Sequence, residues 1–316
     1  MSTRLPLDGV RIVDMTLAWV GPFGTQLLAD WGAEVIRVEP IAVLPPGSRV
    51  PAIRPINRGV YDWANGYPDG IPGERHWNRN LLFQIHARNK LGMTSNLPSP
   101  DVMETHLRLA SISDVVIENN VPQTYDKIGA SYEDLRKVRP DIIMVRVPAY
   151  GLTGPYAGYR ALGPQMESAA GHTWIRGYRD GPLTNAGTSY LGDAVGGVTE
   201  AFAVLTALCH RRRTGEGQLV EVATAEAVVS YVPESTLDWH VNGRIQRALG
   251  NAHPSRAPQG CYRCRGEDNW IVVSVGSDRE WVALKRAMGY SDWARDPRFD
   301  SILGHEAIDR QCRASI

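Results

Sequence analysis

Val10-Arg-Ile-Val-Asp-Met15, then Gly21-Pro-Phe-Gly24, then Ala33-Glu-Val-Ile-Arg-Val38 decide the fold. Two short β-branched runs flank a glycine-broken turn and the helix-like stretch Thr25 to Trp31, which Gly32 ends. Strands joined by a helix must run parallel, because the crossover returns the chain to the same end of the sheet. The first forty residues therefore read as one βαβ unit of an α/β protein.

Working outward, the same alternation recurs. A helix is predicted over Ser99 to Ser111, a strand at Asp114-Val-Val-Ile-Glu118, a helix over Tyr132 to Val138 and a strand at Asp141-Ile-Ile-Met-Val-Arg-Val147. Ser131 caps the middle helix, and Glu133 and Asp134 fall in its first turn, where carboxylates complement the helix dipole. The stretch Asp193 to Arg213 carries the longest helical pattern, with Val198, Phe202, Leu205 and Leu208 at helical spacing. Arg211-Arg-Arg213 reads as a solvated helix C-terminus in preference to a ligand site. A strand Leu219-Val-Glu-Val222 and a helix from Ala223 follow. From Pro40 to about Asn80 the chain is rich in Pro, Gly, Trp and Arg without periodicity, which reads as a long irregular segment. From about Asn251 the texture changes to strands between turns. The expected organisation is a large Rossmann-like domain over 1–222, a linker helix over 223–250 and a small α+β domain over 251–316.

The 316 residues are 43% hydrophobic, and 34 basic groups balance 34 acidic ones. No global field favours nucleic acid or an anionic membrane surface, so neither is an expected partner. No uninterrupted apolar stretch approaches the roughly 18 residues of a membrane span, and the opening MSTRLPLDG lacks the apolar core of a signal peptide. Four cysteines, Cys209, Cys261, Cys264 and Cys312, are too few for a disulfide framework. The chain reads as cytoplasmic. Cys261-Tyr-Arg-Cys264 lacks a second ligand pair, so strand positions on one side are preferred to half a zinc site, and no metal is expected.

Two places invite chemistry. Gly21 to Gly24 opens a helix at a strand end, either as a phosphate-facing turn or as plain tight packing. It lacks the G-x-G-x-x-G pattern, so a nicotinamide cofactor is not expected. Asp193, after Gly192 and before Gly196-Gly197, reads as an N-cap, and a carboxylate so held is also able to act as a nucleophile.

Pro6-Leu-Asp-Gly-Val10, Leu28-Ala-Asp-Trp-Gly-Ala-Glu-Val-Ile-Arg-Val-Glu39, Arg88-Asn-Lys90, Asp114-Val-Val-Ile-Glu-Asn119, Ser131-Tyr-Glu-Asp-Leu135, Tyr150-Gly-Leu-Thr-Gly-Pro155, Gly192-Asp193 and Arg213-Thr-Gly-Glu-Gly-Gln218 occur in one order. That order resembles the class III CoA-transferases (CaiB/BaiF-type, formyl-CoA transferase-like). The resemblance implies a Rossmann-like parallel sheet, an intertwined dimer, and transfer of coenzyme A from an acyl-CoA to a carboxylic acid through an aspartyl anhydride and thioester. It assigns Asp193 as the catalytic residue and Asn89, Lys90, Asn119, Lys127 and Arg160 to CoA. Asn89 and Asn119 have a second reading as turn residues.

The chain departs from the family pattern at Pro40 and Leu91, where basic residues are common, and at Trp19, where a smaller or polar residue is common. An indole there either narrows the pocket, stacks on a ring or sits in the core. A racemase of 2-methylacyl-CoA, which the family also contains, is disfavoured because Leu162 stands in place of its histidine, a position His172 does not fill. Ending at Ile316, the chain is expected to lack a C-terminal return segment. A less active or non-catalytic subunit of a heteromeric transferase is the other alternative. Trp19, Trp63, Trp77 and Trp174 are placed either in a pocket for a large or aromatic acid or in the core and interfaces.

Overall fold

The computed structural model describes residues 4–40, 67–68, 73–95, 100–178, 181–182, 187, 189–289 and 292–300. Trp63, Cys312 and most of the irregular segment after Pro40 lie outside the described residues. The chain divides into two compact units, Met1–His172 with Thr188–Asn242, and Thr173–Gly187 with Gly243–Ile316. The helices Thr224–Val229 and Pro233–Asn242, read from sequence as a linker, thus belong to the first unit.

The first unit is built on a six-stranded sheet: β1 (Arg11–Asp14), β2 (Glu34–Pro40), β3 (Lys90–Ser95), β4 (Val115–Glu118), β5 (Ile143–Arg146) and β6 (Leu219–Glu221). The order is β3-β2-β1-β4-β5-β6, and every neighbouring pair is parallel. Alternate residues of the central strands bury on opposite faces. Ile12, Val115, Ile117, Ile143 and Val145 pack with Leu28 and Val204 on one side. Val13, Val116 and Met144 pack with Tyr125 and Leu135 on the other. Burial of both faces explains why these strands read as continuous apolar runs rather than as alternating ones.

The helix Leu191–Thr214 is long and apolar enough by composition to cross a bilayer, but Ala201, Val204 and Ala207 face the core, which accounts for that apolarity. It crosses the helix Val20–Asp30 at glycines. A Cβ on Gly24 would lie 2.7 Å from the Gly197 carbonyl oxygen, and one on Gly197 would lie 2.8 Å from that of Val20. Gly21 likewise packs on the Thr16 side chain, so Gly21 to Gly24 serve close packing.

Beside this crossing lies a cluster of buried charge. Lys90 Nζ donates to Asp14 Oδ2 at 2.9 Å, to the Pro22 carbonyl at 2.8 Å and to Thr25 Oγ1 at 2.7 Å. The two charged side chains are only 1% and 0% exposed. Burial pushes the Asp14 carboxyl up, but Lys90, Arg37 and the Thr16 hydroxyl together hold it below its ordinary value. Burial outweighs Asp14 at Lys90 and pulls the ammonium down.

The second unit has its own core. The hairpin β7 (Gln259–Arg263) and β8 (Trp270–Ser274) is antiparallel. Trp281, from the helix Asp278–Ala287, packs there with Tyr262, Val275 and Phe299. Cys261 sits on the exposed side of β7 and Cys264 just beyond its end. Trp174 Nε1 donates to the Gln246 carbonyl at 2.9 Å, which ties 173–187 to this unit.

Removing one partner of a buried ion pair strands the other. Lys90→Met should therefore cost about 3–5 kcal/mol in urea denaturation, whereas Lys127→Met, at an exposed position, should stay within about 0.5 kcal/mol. Equal small losses would show that the pair is not buried.

Candidate active site

In an open parallel sheet, ligands bind beyond the carboxyl ends of the strands, where the strand order reverses. Here the reversal falls between β1 and β4. A cleft of about 480 Å³ lies there, lined by Leu17 and Ala18 after β1, Asn119 to Val121 after β4, and Val147 to Ala149 after β5. Asn119 clamps the two diverging loops. Its Nδ2 donates to the Leu17 carbonyl and its Oδ1 accepts the Leu17 amide, each at 2.8 Å. Behind it, Glu118 Oε1 accepts from Arg146 Nε at 2.6 Å and Glu118 Oε2 accepts the Asn120 amide at 2.6 Å, so the loop after β4 is fixed from below.

Asp193 lines the same cleft. It is not the N-cap expected from sequence: the helix starts at Leu191, and Tyr190 is the cap, in a left-handed conformation at φ 52°. Asp193 is therefore the third helical residue, and its carboxylate accepts no hydrogen bond from the described residues. It rests on Gly163, where a Cβ would lie 1.9 Å from Asp193 Oδ2. Burial, and then the negative charge of Glu167, push the Asp193 carboxyl up from 3.8 to about 6.

Glu167 was not singled out by sequence reasoning. It lies in the helix Gly163–Ala169, and its buried carboxylate accepts from Ser189 Oγ at 2.6 Å, the Gly192 amide at 3.2 Å and His172 Nδ1 at 3.0 Å. Burial pushes Glu167 up, but these donors more than offset it and hold the group below its ordinary value. Two carboxyl groups in one site thus diverge, the donor-rich one acidic and the donor-free one basic. The only sequence signal for Glu167 was a charged residue in a segment without periodicity.

Trp19 precedes the helix Val20–Asp30, following a left-handed Ala18 at φ 62°. Its ring stacks on Tyr190, with centroids 5.0 Å apart and planes at 15°. The residues before the two helix starts nearest the cleft are thus locked against each other by an aromatic pair. Strained backbone of this kind persists where surrounding contacts over-determine it.

Of the six residues assigned from the resemblance, the fold brings Asp193, Asn119 and Arg160 to one cleft. Arg160 is exposed on its wall, beside Tyr159. Lys127 ends the short helix Gln123–Lys127 that follows the loop after β4, and its side chain is exposed. Asn89 Nδ2 donates to Asp30 Oδ1 at 2.7 Å, and Lys90 is committed to Asp14. Those two side chains tie the start of β3 to the helix Val20–Asp30. Leu162 is exposed and lines the cleft, while His172 turns to Glu167.

A family model described as CoA-transferase family III matches residues 7–315. The chain belongs to CoA-transferase family III. It is 34% identical over 294 residues to the succinyl-CoA–D-citramalate CoA-transferase of Chloroflexus aurantiacus, covering 93% of this chain and 67% of that protein. It is 30% identical over 307 residues to the acetyl-CoA:oxalate CoA-transferase of Acetobacter aceti, covering 96% and 73%. A solved structure of a CaiB/BaiF family protein from Brucella suis superposes with a TM-score of 0.83 at 26% identity, over 99% of this chain and 77% of that one. The parallel α/β architecture is thus that of other family III CoA-transferases.

A carboxylate with a raised pKa destabilises the folded state once it is ionised. The folded protein binds that proton more tightly than the unfolded chain, so the cost appears as pH rises from 3.8 towards about 6 and is complete above it. Asp193→Asn should therefore raise stability in urea by on the order of 1–3 kcal/mol at about pH 8, and by less at about pH 5. A gain independent of pH would mean that the group is not perturbed.

Proposed function

We propose that this protein moves coenzyme A from an acyl-CoA donor to a carboxylic acid acceptor, with Asp193 as the nucleophile. The observation that carries the reading is the position of that carboxylate: it opens into the switch-point cleft with no hydrogen-bond donor on its oxygens among the described residues. The two relatives named above, a succinyl-CoA–D-citramalate and an acetyl-CoA:oxalate CoA-transferase, support the same reaction class.

The chemistry is a sequence of acyl transfers. An Asp193 oxygen attacks the thioester carbonyl carbon; a C–O bond forms, the C–S bond breaks and its electron pair leaves on sulfur as CoA thiolate. The thiolate then attacks the Asp193 carbonyl carbon of the anhydride, forming a C–S bond and releasing the donor acid as its carboxylate. The acceptor carboxylate repeats both steps in reverse, so water takes no part and no proton is consumed. Each step is easier than direct displacement of thiolate by a weak carboxylate in solution.

Glu167 helps in two ways. Its negative charge keeps Asp193 basic, and a more basic carboxylate is a stronger nucleophile once ionised. Its bonds to Ser189 and the Gly192 amide hold the turn that carries Asp193. Asn119 keeps the cleft open between the β1 and β4 loops, and Arg160 supplies a cation on its wall for the phosphates of CoA. Lys127 offers a second exposed cation along the loop after β4. As part of the same reading, two copies or two related chains associate, since the exposed Val198 and Phe202 leave an apolar stripe on the long helix.

Asp193→Ala should abolish exchange between succinyl-CoA or acetyl-CoA and a panel of carboxylic acids while leaving the far-ultraviolet circular dichroism unchanged. After exposure of the wild type to either thioester, hydroxylamine treatment and peptide mass spectrometry should place the adduct on Asp193. Turnover that survives the substitution would end this assignment.

A further inference from the structure

Glu167 accepts hydrogen bonds from partners of different kinds, among them Gly192, Ser189 and His172. The Gly192 amide and the Ser189 hydroxyl are neutral donors, whereas His172 brings an imidazole, a group able to be neutral or cationic. Ser189 and Gly192 lie on either side of the left-handed Tyr190, so Glu167 staples the turn from which Asp193 projects. The Glu167 side chain is 2% exposed and that of His172 is 15% exposed, which leaves the imidazole in reach of solvent protons and the carboxylate out of reach.

The geometry points to His172 as a positioning residue for the transfer reaction: through its hydrogen bond to Glu167 it sets the orientation and net charge of the group that faces Asp193. This rests on Asp193 as nucleophile and adds a control to it. When His172 carries a second proton, the His172–Glu167 pair is neutral and the nucleophile meets little opposing charge. When His172 is neutral, the full charge of Glu167 acts on Asp193.

Among the described residues, the other charged groups near the site act elsewhere or face solvent. Glu167 is the charge that acts on Asp193. Arg160 and Tyr159 line the cleft but are exposed to solvent, which screens them. Glu226, on the packed helix Thr224–Val229, lines a separate groove with Phe202 and Leu219. Glu200, further along the long helix, interacts with Asp14 and Lys90. Tyr190, at the start of the turn that leads to Asp193, is stacked on Trp19.

The test follows acylation of Asp193 by succinyl-CoA or acetyl-CoA, read as the trapped peptide, between about pH 5 and 8. The full-length wild type is compared with Glu167→Gln, His172→Asn and the double variant. Asparagine keeps an amide nitrogen near the place of Nδ1 but cannot carry a charge. Glu167→Gln should move the acidic limb of the profile down by about one pH unit, the effect of removing one nearby like charge. His172→Asn should move it up, and should have no further effect in the Glu167→Gln background, because the histidine acts through Glu167. A limb that does not move in His172→Asn, or that moves equally with and without Glu167, overturns the coupling. Absence of any adduct on wild-type Asp193 takes down the nucleophile assignment and this coupling with it, whereas an adduct with an unmoved limb takes down the coupling alone.

Discussion

The site depends on a missing methyl group. Asp193 Oδ2 occupies the space that a side chain at residue 163 would fill, so the carboxylate sits in a pocket walled by backbone instead of by donors. A carboxylate buried against backbone and apolar groups loses hydration without gaining hydrogen bonds, which raises its basicity. In the same few ångströms, Glu167 gains every donor that Asp193 lacks. The contrast between the two groups comes from packing.

The sheet delivers that pocket to a ligand. Strand order reverses between β1 and β4, the loops after them part, and Asn119 holds them at a fixed separation through paired bonds to Leu17. Under this rim, Asp14 is buried in partnership with Lys90 and Glu118 with Arg146. Glu200 is buried beside the first pair. Burial and then the Asp14 charge push it well above the ordinary carboxyl range where the two glycine-rich helices cross. Such costs are tolerable where the surrounding core is large and both faces of the sheet are covered.

Much of this architecture was legible in the residues. β4 and β5 are buried along their whole length and β1 and β2 along most of it, so they read as largely apolar runs, and Gly32, the Ser131 capping box and the arginines before Gly215 mark the helix ends directly. β3 was missed because Lys90–Ser95 is an edge strand, half exposed and interrupted by Gly92, so it shows neither alternation nor a continuous apolar run. The start of the long helix was placed two residues late because an aspartate after a glycine has the look of a cap. The actual cap, Tyr190, adopts a left-handed conformation held by stacking on Trp19, a contact between residues far apart in sequence. The site was legible in part for the same reason. Asp193, Asn119 and Arg160 fall on motif positions, whereas Lys90 proves to be a core ion-pair partner. Gly163, Glu167 and His172 matter only through tertiary contacts that no local pattern announces.

The account stands or falls on the covalent role of one carboxylate, and isotopic exchange reads that role directly. If an acceptor acid labelled with heavy oxygen in its carboxylate is turned over with unlabelled acyl-CoA, one acceptor oxygen must remain on the side chain when the final anhydride is cleaved by CoA thiolate. The Asp193 peptide should therefore gain heavy oxygen in the course of turnover, and no other acidic peptide should. Sustained CoA exchange with Asp193 still unlabelled would contradict the mechanism.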